Sequence, residues 1–425
     1  MHLGSKLIVV GGLAGGLALP APAEATARPK PVVVKTERQF QQAVQRLKRP
    51  GGTIVLRGGR YRALSVGPRS ARPLVVRAQR GVSVRRILLR RTRSVRLEHV
   101  VFSPDARSAS LEVRRSRGVE LHDIRVRGTT ARHARVLLDA SNGVTITASR
   151  FSRCGDGSVC LLLGRSSNVL VEGSRFQDCF GCDFVRGRAG TGLVLRGNRF
   201  LRALVGPCGT DPAACNHNDL VQVQAGRNVL VERNVFGLVQ PPGAGQLYFS
   251  GPIDGLVVRD NLFRATDPAL PGFPVPPNGI VLGNRRGPDA LPANVTIAHN
   301  TILSGARRGF GQFPDLANSL VVSPRYGWNP EEARPLVVNN VFALTETVAE
   351  LCGLARTARN VTIRGAPCSE EDVVGDPGLT EAGVPGPHSI LVADRGLPGF
   401  SSVDFLRRPR DEAPDIGAYE IASAP

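Results

Sequence analysis

The chain has 425 residues, of which 42% are hydrophobic and 5% aromatic, with a formal net charge of +20 and eight cysteines. Its apolar content can build a sizeable core, which excludes a disordered chain. So high a charge invites a nucleic-acid partner, but the cations are nearly all Arg, evenly spread, with no dense run and no aromatic-rich RNA motif. No nucleic-acid partner is therefore expected.

Residues 1–27 read as a signal peptide, with Lys6, an apolar run from Leu7 to Leu19 and small-residue cleavage sites ending at Ala25 and Ala27. The run is too short and Gly-rich for a membrane span, and no later segment is long enough to be one. The expected product is secreted, extracellular and without a membrane span. In that compartment the cysteines suit disulfides better than metal. Cys208 with Cys215 and Cys352 with Cys368 are near neighbours, whereas Cys154, Cys160, Cys179 and Cys182 allow several pairings.

Residues 28–52 carry an N-terminal capping helix. Phe40, Val44 and Leu47 stand at helical spacing, Thr36 and Gln39 form a capping box, and Gly51 follows the end. Residues 53–364 repeat one phrase, as in SRGVELHDIRV, SNGVTITASRF, SSNVLVEGSRF and GTGLVLRGNRF. Aligned on the first apolar strand residue, the units start at Val95, Val119, Val144, Val169, Leu193, Val229, Leu256, Val295, Leu336 and Val361. Their base period is 24 to 25 residues, with insertions in three later steps.

A unit of that length holds short alternating strands and no helix, and such units stack as a solenoid by parallel pairing. Ten to eleven coils at about 4.8 Å each make a rod roughly 50 Å long. Strand twist and crossover preference make it a right-handed parallel β-helix. Ser149, Ser174, Asn198, Asn234, Asn261 and Asn300 recur at one turn position, where Asn tolerates left-handed dihedrals, and should form a side-chain ladder. Phe151, Phe176, Phe200, Phe236 and Phe263 recur two positions later and should stack in the core. Residues 365–425 lose the repeat and are expected to fold over the last coil as a C-terminal cap.

The repeat, together with GDPGL (375–379), HSILVADRG (388–396), SVDFLRRPR (402–410) and PDIGAYE (414–420), resembles the right-handed parallel β-helix, or pectate-lyase-like, superfamily of secreted bacterial proteins. The resemblance implies a polysaccharide bound along one strand face. The Gly-His-Gly and paired-Asp signatures of the polygalacturonases are absent, and the pectate-lyase motifs have no clear match, so no enzyme family is assigned.

The stretch CNHNDLVQVQ, Cys215 to Gln224, is unusually polar for a strand of this solenoid. In-register counting aligns it with Ala134–Asp139, Val159–Gly164, Asp183–Arg188 and Gln246–Gly251, and places Leu137, Leu162, Arg186, Gln222 and Phe249 on the outward column. Asp183, Asp219 and Gln246 stand in a second column, with His217 at its edge. Insertions flanking these strands are expected to wall a groove, and one carries Tyr326 and Trp328, whose rings suit sugar faces. The expected substrate-binding residues are Gln222, Gln246, Tyr326 and Trp328.

An acidic, uronate-containing polysaccharide suits this face and the positive net charge. In lyase-type β-elimination, Asp183 and Asp219 would hold a Ca²⁺ against the substrate carboxylate, with His217 or Arg186 as the base. In a glycoside hydrolase the two Asp would be acid and base. The remaining alternatives are a non-catalytic carbohydrate-binding or structural surface protein, in which Arg186 with the two Asp is only an ion-pair ladder.

Overall fold

The computed structural model describes residues 30–421 except 69–71, 104–108, 129–134, 155–158, 205–217, 238, 240–244, 265–277, 284–291, 304–319, 323–333, 343–351, 364–366, 381–382 and 387–388. The proposed signal, His217, Tyr326, Trp328 and the Cys208/Cys215 pair lie outside the described residues. No described helix is long and apolar enough to cross a membrane.

The chain is a parallel β-helix. Among the described residues, successive coils contribute short strands to three faces, and the strands of each face pair in parallel with those of the next coil. The first sheet contains Leu111–Arg114 and Val136–Asp139, and then the leading parts of Val159–Glu172, Asp183–Thr191 and Val221–Glu232, followed by Gly245–Phe249 and Asn278–Leu282. The second contains Arg117–His122 and Asn142–Thr147 and continues through the trailing parts of the long strands. The third contains Arg125–Arg127, Arg150–Ser152, Arg175–Phe180, Arg199–Leu204 and Val235–Phe236.

Alternation fills the interior. Val126, Phe151, Phe176, Phe200, Phe236 and Phe263 are in-register neighbours on the third sheet. The Phe rings stack at centroid distances of 4.4, 4.9, 5.2 and 4.6 Å. Each such burial contributes about 1.5–3 kcal/mol, so the column is a main source of cohesion between coils.

The corner between second and third sheets carries the expected ladder, and it runs further than the repeat suggested. The backbone N–H groups of Ser149, Ser174, Asn198, Asn234, Asn261, Asn300 and Asn340 donate to the side-chain oxygens of Ser174, Asn198, Asn234, Asn261, Asn300, Asn340 and Asn360 in turn. Each Asn amide also donates to a carbonyl of the preceding coil, as Asn234 does to Leu195 at 2.8 Å. The left-handed dihedral falls one residue earlier than expected, on Ala148, Arg233, Asp260, His299, Asn339 and Arg359. The ladder residue needs its side chain aimed along the rod, and its predecessor makes the bend.

Two repeat assignments shift. Leu336 pairs with Thr296 rather than Val295, and Val361 pairs with Val341 in the third sheet. The irregular last units hid Asn340 and Asn360 from the count.

At the N-terminal end, the helix Glu37–Arg46 has Thr36 as N-cap, buries Phe40, Ala43 and Val44, and ends at a buried C-cap, Leu47. It is preceded by Val32–Val34, which adds a strand to Gly52–Leu56 within the segment read as a helical cap alone. At the other end Val373–Val374 still pairs with the last coil. Beyond it the chain does not simply cover that coil but runs back along the flank. Val392 and Ile416 pack on Val341 and Val361, and Ala418 and Tyr419 on Leu262. The described disulfides are Cys154–Cys160, Cys179–Cys182 and Cys352–Cys368, which settles the pairing within the group of four.

Candidate functional site

The polar strand lies on the first sheet, and its register decides which side chains reach solvent. Val185 pairs with Val221 and Leu247, all buried, and Arg186 with Gln222 and Tyr248, all partly exposed. The outward column is therefore Leu137, Leu162, Arg186, Gln222 and Tyr248. Counting from the sequence reached Gln222 correctly, then slipped by one. Tyr248 takes the place expected of Phe249, which is fully buried. Apolar Leu247 and Phe249 flank Tyr248, and the preceding insertion breaks the count, so alternation alone left the strand's phase ambiguous.

Asp183 and Asp219 occupy the turn into this sheet and are only 3% and 1% exposed. Each accepts a backbone N–H from the next coil: Asp183 Oδ1 from Asp219 and Asp219 Oδ1 from Gly245, both at 2.8 Å. Asp183 Oδ2 lies 3.1 Å from a guanidinium nitrogen of Arg186, whose side chain is 40% exposed. Burial pushes the Asp183 carboxyl up to about 6, against the opposing pull of the Asp219 N–H and the Arg186 cation. The aspartates thus act as a carboxylate counterpart of the Asn ladder, and Asp183 anchors Arg186 on the outer face.

Two expected roles do not fit this placement. Ca²⁺ takes six to eight oxygen ligands in an open arrangement. Asp183 instead has both oxygens engaged, one by a backbone donor and one by a cation. Burial likewise withholds the pair from the water and glycosidic oxygen that a hydrolase must reach. Among the described residues, the potential metal-ligating side chains that gather as three or more are Cys160, Cys179 and Cys182, which belong to disulfides.

Gln246 is also buried, and its amide donates to Gly237 and Arg264 carbonyls at 2.6 and 2.8 Å. It fastens the insertion after the third sheet and does not face a ligand. Asn218 is similarly committed to Leu204 at 3.1 Å. The polarity of CNHNDLVQVQ has two sources: Asn218 and Asp219 hold the turn, whereas Gln222 and Gln224 face outward, 3.5 Å apart.

On the same coils, the corner leading to the second sheet opens into a groove of about 520 Å³ lined by Gly190, Thr191, Gly226, Arg227, Asp254 and Ala293. Its floor depends on glycine: a Cβ on Gly190 would lie 2.2 Å from Ser167 Oγ. The structure therefore brings Arg186, Gln222 and Tyr248 into one outward column on coils that also line this groove, whereas Gln246 is buried.

No protein-family model and no curated protein matches the chain. Similar solved structures include pectate lyase Pel9A, at 14% identity and a TM-score of 0.45, covering 89% of this chain and 90% of that one. A PL6 family alginate lyase, AlyGC, matches at 13% identity and a TM-score of 0.39 over 87% of this chain, which spans 59% of that protein. PfbA, a surface adhesin of Streptococcus pneumoniae, matches at 11% identity and a TM-score of 0.32, over 58% of this chain and 84% of that one. The assignment as a parallel β-helix rests on the strand register of the chain itself.

Proposed function

We propose that the protein is exported, binds an acidic, uronate-containing polysaccharide on the outer face of its first sheet, and cleaves it by β-elimination. The observation that supports this reading is the column Arg186, Gln222 and Tyr248 on three successive coils, with its cation fixed by a buried carboxylate. A guanidinium pairs with a carboxylate through two parallel hydrogen bonds, so Arg186 receives the uronate group and offsets the charge that develops on it. Gln222 offers an amide to sugar hydroxyls. A base then removes the proton beside the carboxylate, the electron pair forms the C=C bond, and the glycosidic oxygen leaves with a proton. His217 is the proposed base, imidazole being the side chain most often used for that role, and Tyr248 is the proposed donor to the leaving oxygen. No step runs through a metal.

The test is incubation with polygalacturonate and polymannuronate, following ultraviolet absorbance of the new double bond and counting reducing ends. Both signals should rise, unaffected by chelator, and Arg186→Gln should lower turnover by about 10²-fold or more. Reducing ends without absorbance would mean hydrolysis and overturn the lyase reading. Binding without either signal would leave a non-catalytic binding protein.

A further inference from the structure

The third sheet carries a cationic column that the proposed chemistry does not use. Arg125, Arg150, Arg175 and Arg199 are in-register neighbours on four successive strands, and all four are exposed. Val101 precedes the column and Val235 follows it. At about 4.8 Å per strand, the four backbone positions span about 14 Å along the rod.

Part of the second sheet interleaves its charges, although Arg90 with Arg114 on the first sheet and Arg93 with Arg117 on the second are in-register pairs of like charge, each only two strands long. On the second sheet Arg77 meets Glu98 at 2.6 Å, and Glu232 lies between Arg196 and Arg259, at 2.5 and 2.8 Å. In the third-sheet column, by contrast, Arg125 has Asp123 at 3.9 Å and Arg175 bonds the neutral Gln177. Like charges directly opposite one another destabilise a sheet. The fold therefore holds four cations in a row at a cost that an external anion would relieve.

We infer that this arginine column is a second binding site, for a linear polyuronate lying along the rod axis. A linear polyuronate carries one carboxylate per sugar, so a chain lying along the rod brings several carboxylates within reach of the four guanidinium groups. The flanking outward positions offer hydrogen-bonding groups on Arg127, Ser152 and Gln177. The aromatic column next to the arginines points into the core, so the face lacks the stacking platform that single-stranded nucleic acid uses. The polymer class rests on the proposed function, whereas the position of the site does not. Two sites on different sheets let one chain stay attached at the column while another stretch of it exchanges at Arg186.

The experiment compares the wild-type protein with Arg150→Gln/Arg175→Gln for binding of polymannuronate, with dextran as the neutral control and thermal melting as the check on folding. Dissociation constants should rise at least tenfold with the melting temperature held, and the slope of log affinity against log salt should fall by about two. A change under twofold would overturn the site and leave the first-sheet proposal standing. Arg186→Gln is measured beside it. Lost turnover with polymer still bound separates the two sites, whereas unaltered turnover with the column variant unable to bind defeats the first-sheet reading alone. Equal displacement of the polymer by single-stranded DNA of the same charge would overturn the assignment to polyuronate.

Discussion

Asp183 is where a single residue joins fold to function. Its carboxyl titrates near 6 because burial outweighs the Asp219 N–H and Arg186. An unfolded Asp titrates near 3.9, so the native state holds the extra proton between roughly pH 4 and 6. The contribution of Asp183 to stability is then present in full below that window and is lost as pH rises through it. The proposed function runs the other way, because the ionised form holds Arg186 more firmly than the neutral one. Binding of a uronate polymer is expected to strengthen from pH 5 to 7 with an inflection near 6, and Asp183→Asn should flatten that profile while lowering affinity. A binding titration across pH checks both, and an unchanged inflection in the variant would remove Asp183 from the site.

The ladders show how a strand-sized element is held. Asn261 accepts from Asn234 N–H at 2.9 Å and donates to Val231 and Arg259 carbonyls at 2.9 and 2.8 Å. Asn261→Ala would strand a buried donor and two carbonyls, and each orphaned buried group costs about 1–3 kcal/mol. A loss of at least about 2 kcal/mol in denaturant unfolding is expected, with Asn261→Asp intermediate because it keeps the acceptor alone. The sequence displayed this element well, because a period of 24 to 25 residues, the Asn positions and the Phe positions all follow from one pattern of burial. It displayed the site less well. Arg186 and Gln222 follow from alternation, whereas Tyr248 lies beyond an insertion that resets the phase, and the burial of Asp183, Asp219 and Gln246 depends on backbone donors from neighbouring coils. Such donors leave no mark in the local sequence. The same register accounts for the arginine column, whose members are 24 to 25 residues apart.

At the scale of the molecule, the returning C-terminal segment binds the later coils through a buried ionic cluster. Arg410, 1% exposed in its side chain, lies 3.0 Å from Asp260 and 2.7 Å from Glu420. Ser401 Oγ donates to Asp260 as well. Burial raises the carboxyls of Asp260 and Glu420 to about 6 and about 7 and holds His299, beside Asp415, down at about 3 and so neutral. With both carboxyls raised, docking of the segment should weaken as pH climbs through 6 to 7. Arg410→Met would leave buried carboxylates without their cation, a change that typically costs about 3–5 kcal/mol. The loss should be large at pH 8 and smaller at pH 5, where protonated Asp260 and Glu420 need no partner, and thermal melts at the two values check this.

The Asn ladder also has a direction. Every backbone donor in it is satisfied by the side chain of the following coil, and the series stops at Asp372, whose Oδ1 accepts from both the Asn360 backbone N–H and its amide, at 2.9 and 3.0 Å. A carboxylate accepts without having a donor of its own to place, so it can terminate a row that an amide would have to pass on. During synthesis, therefore, each newly emerged coil carries an open donor that only the next stretch of chain can close. The nascent rod grows with one perpetually unfinished end, and ribosome-bound chains halted before residue 372 should be cut by protease at that end while their earlier coils resist.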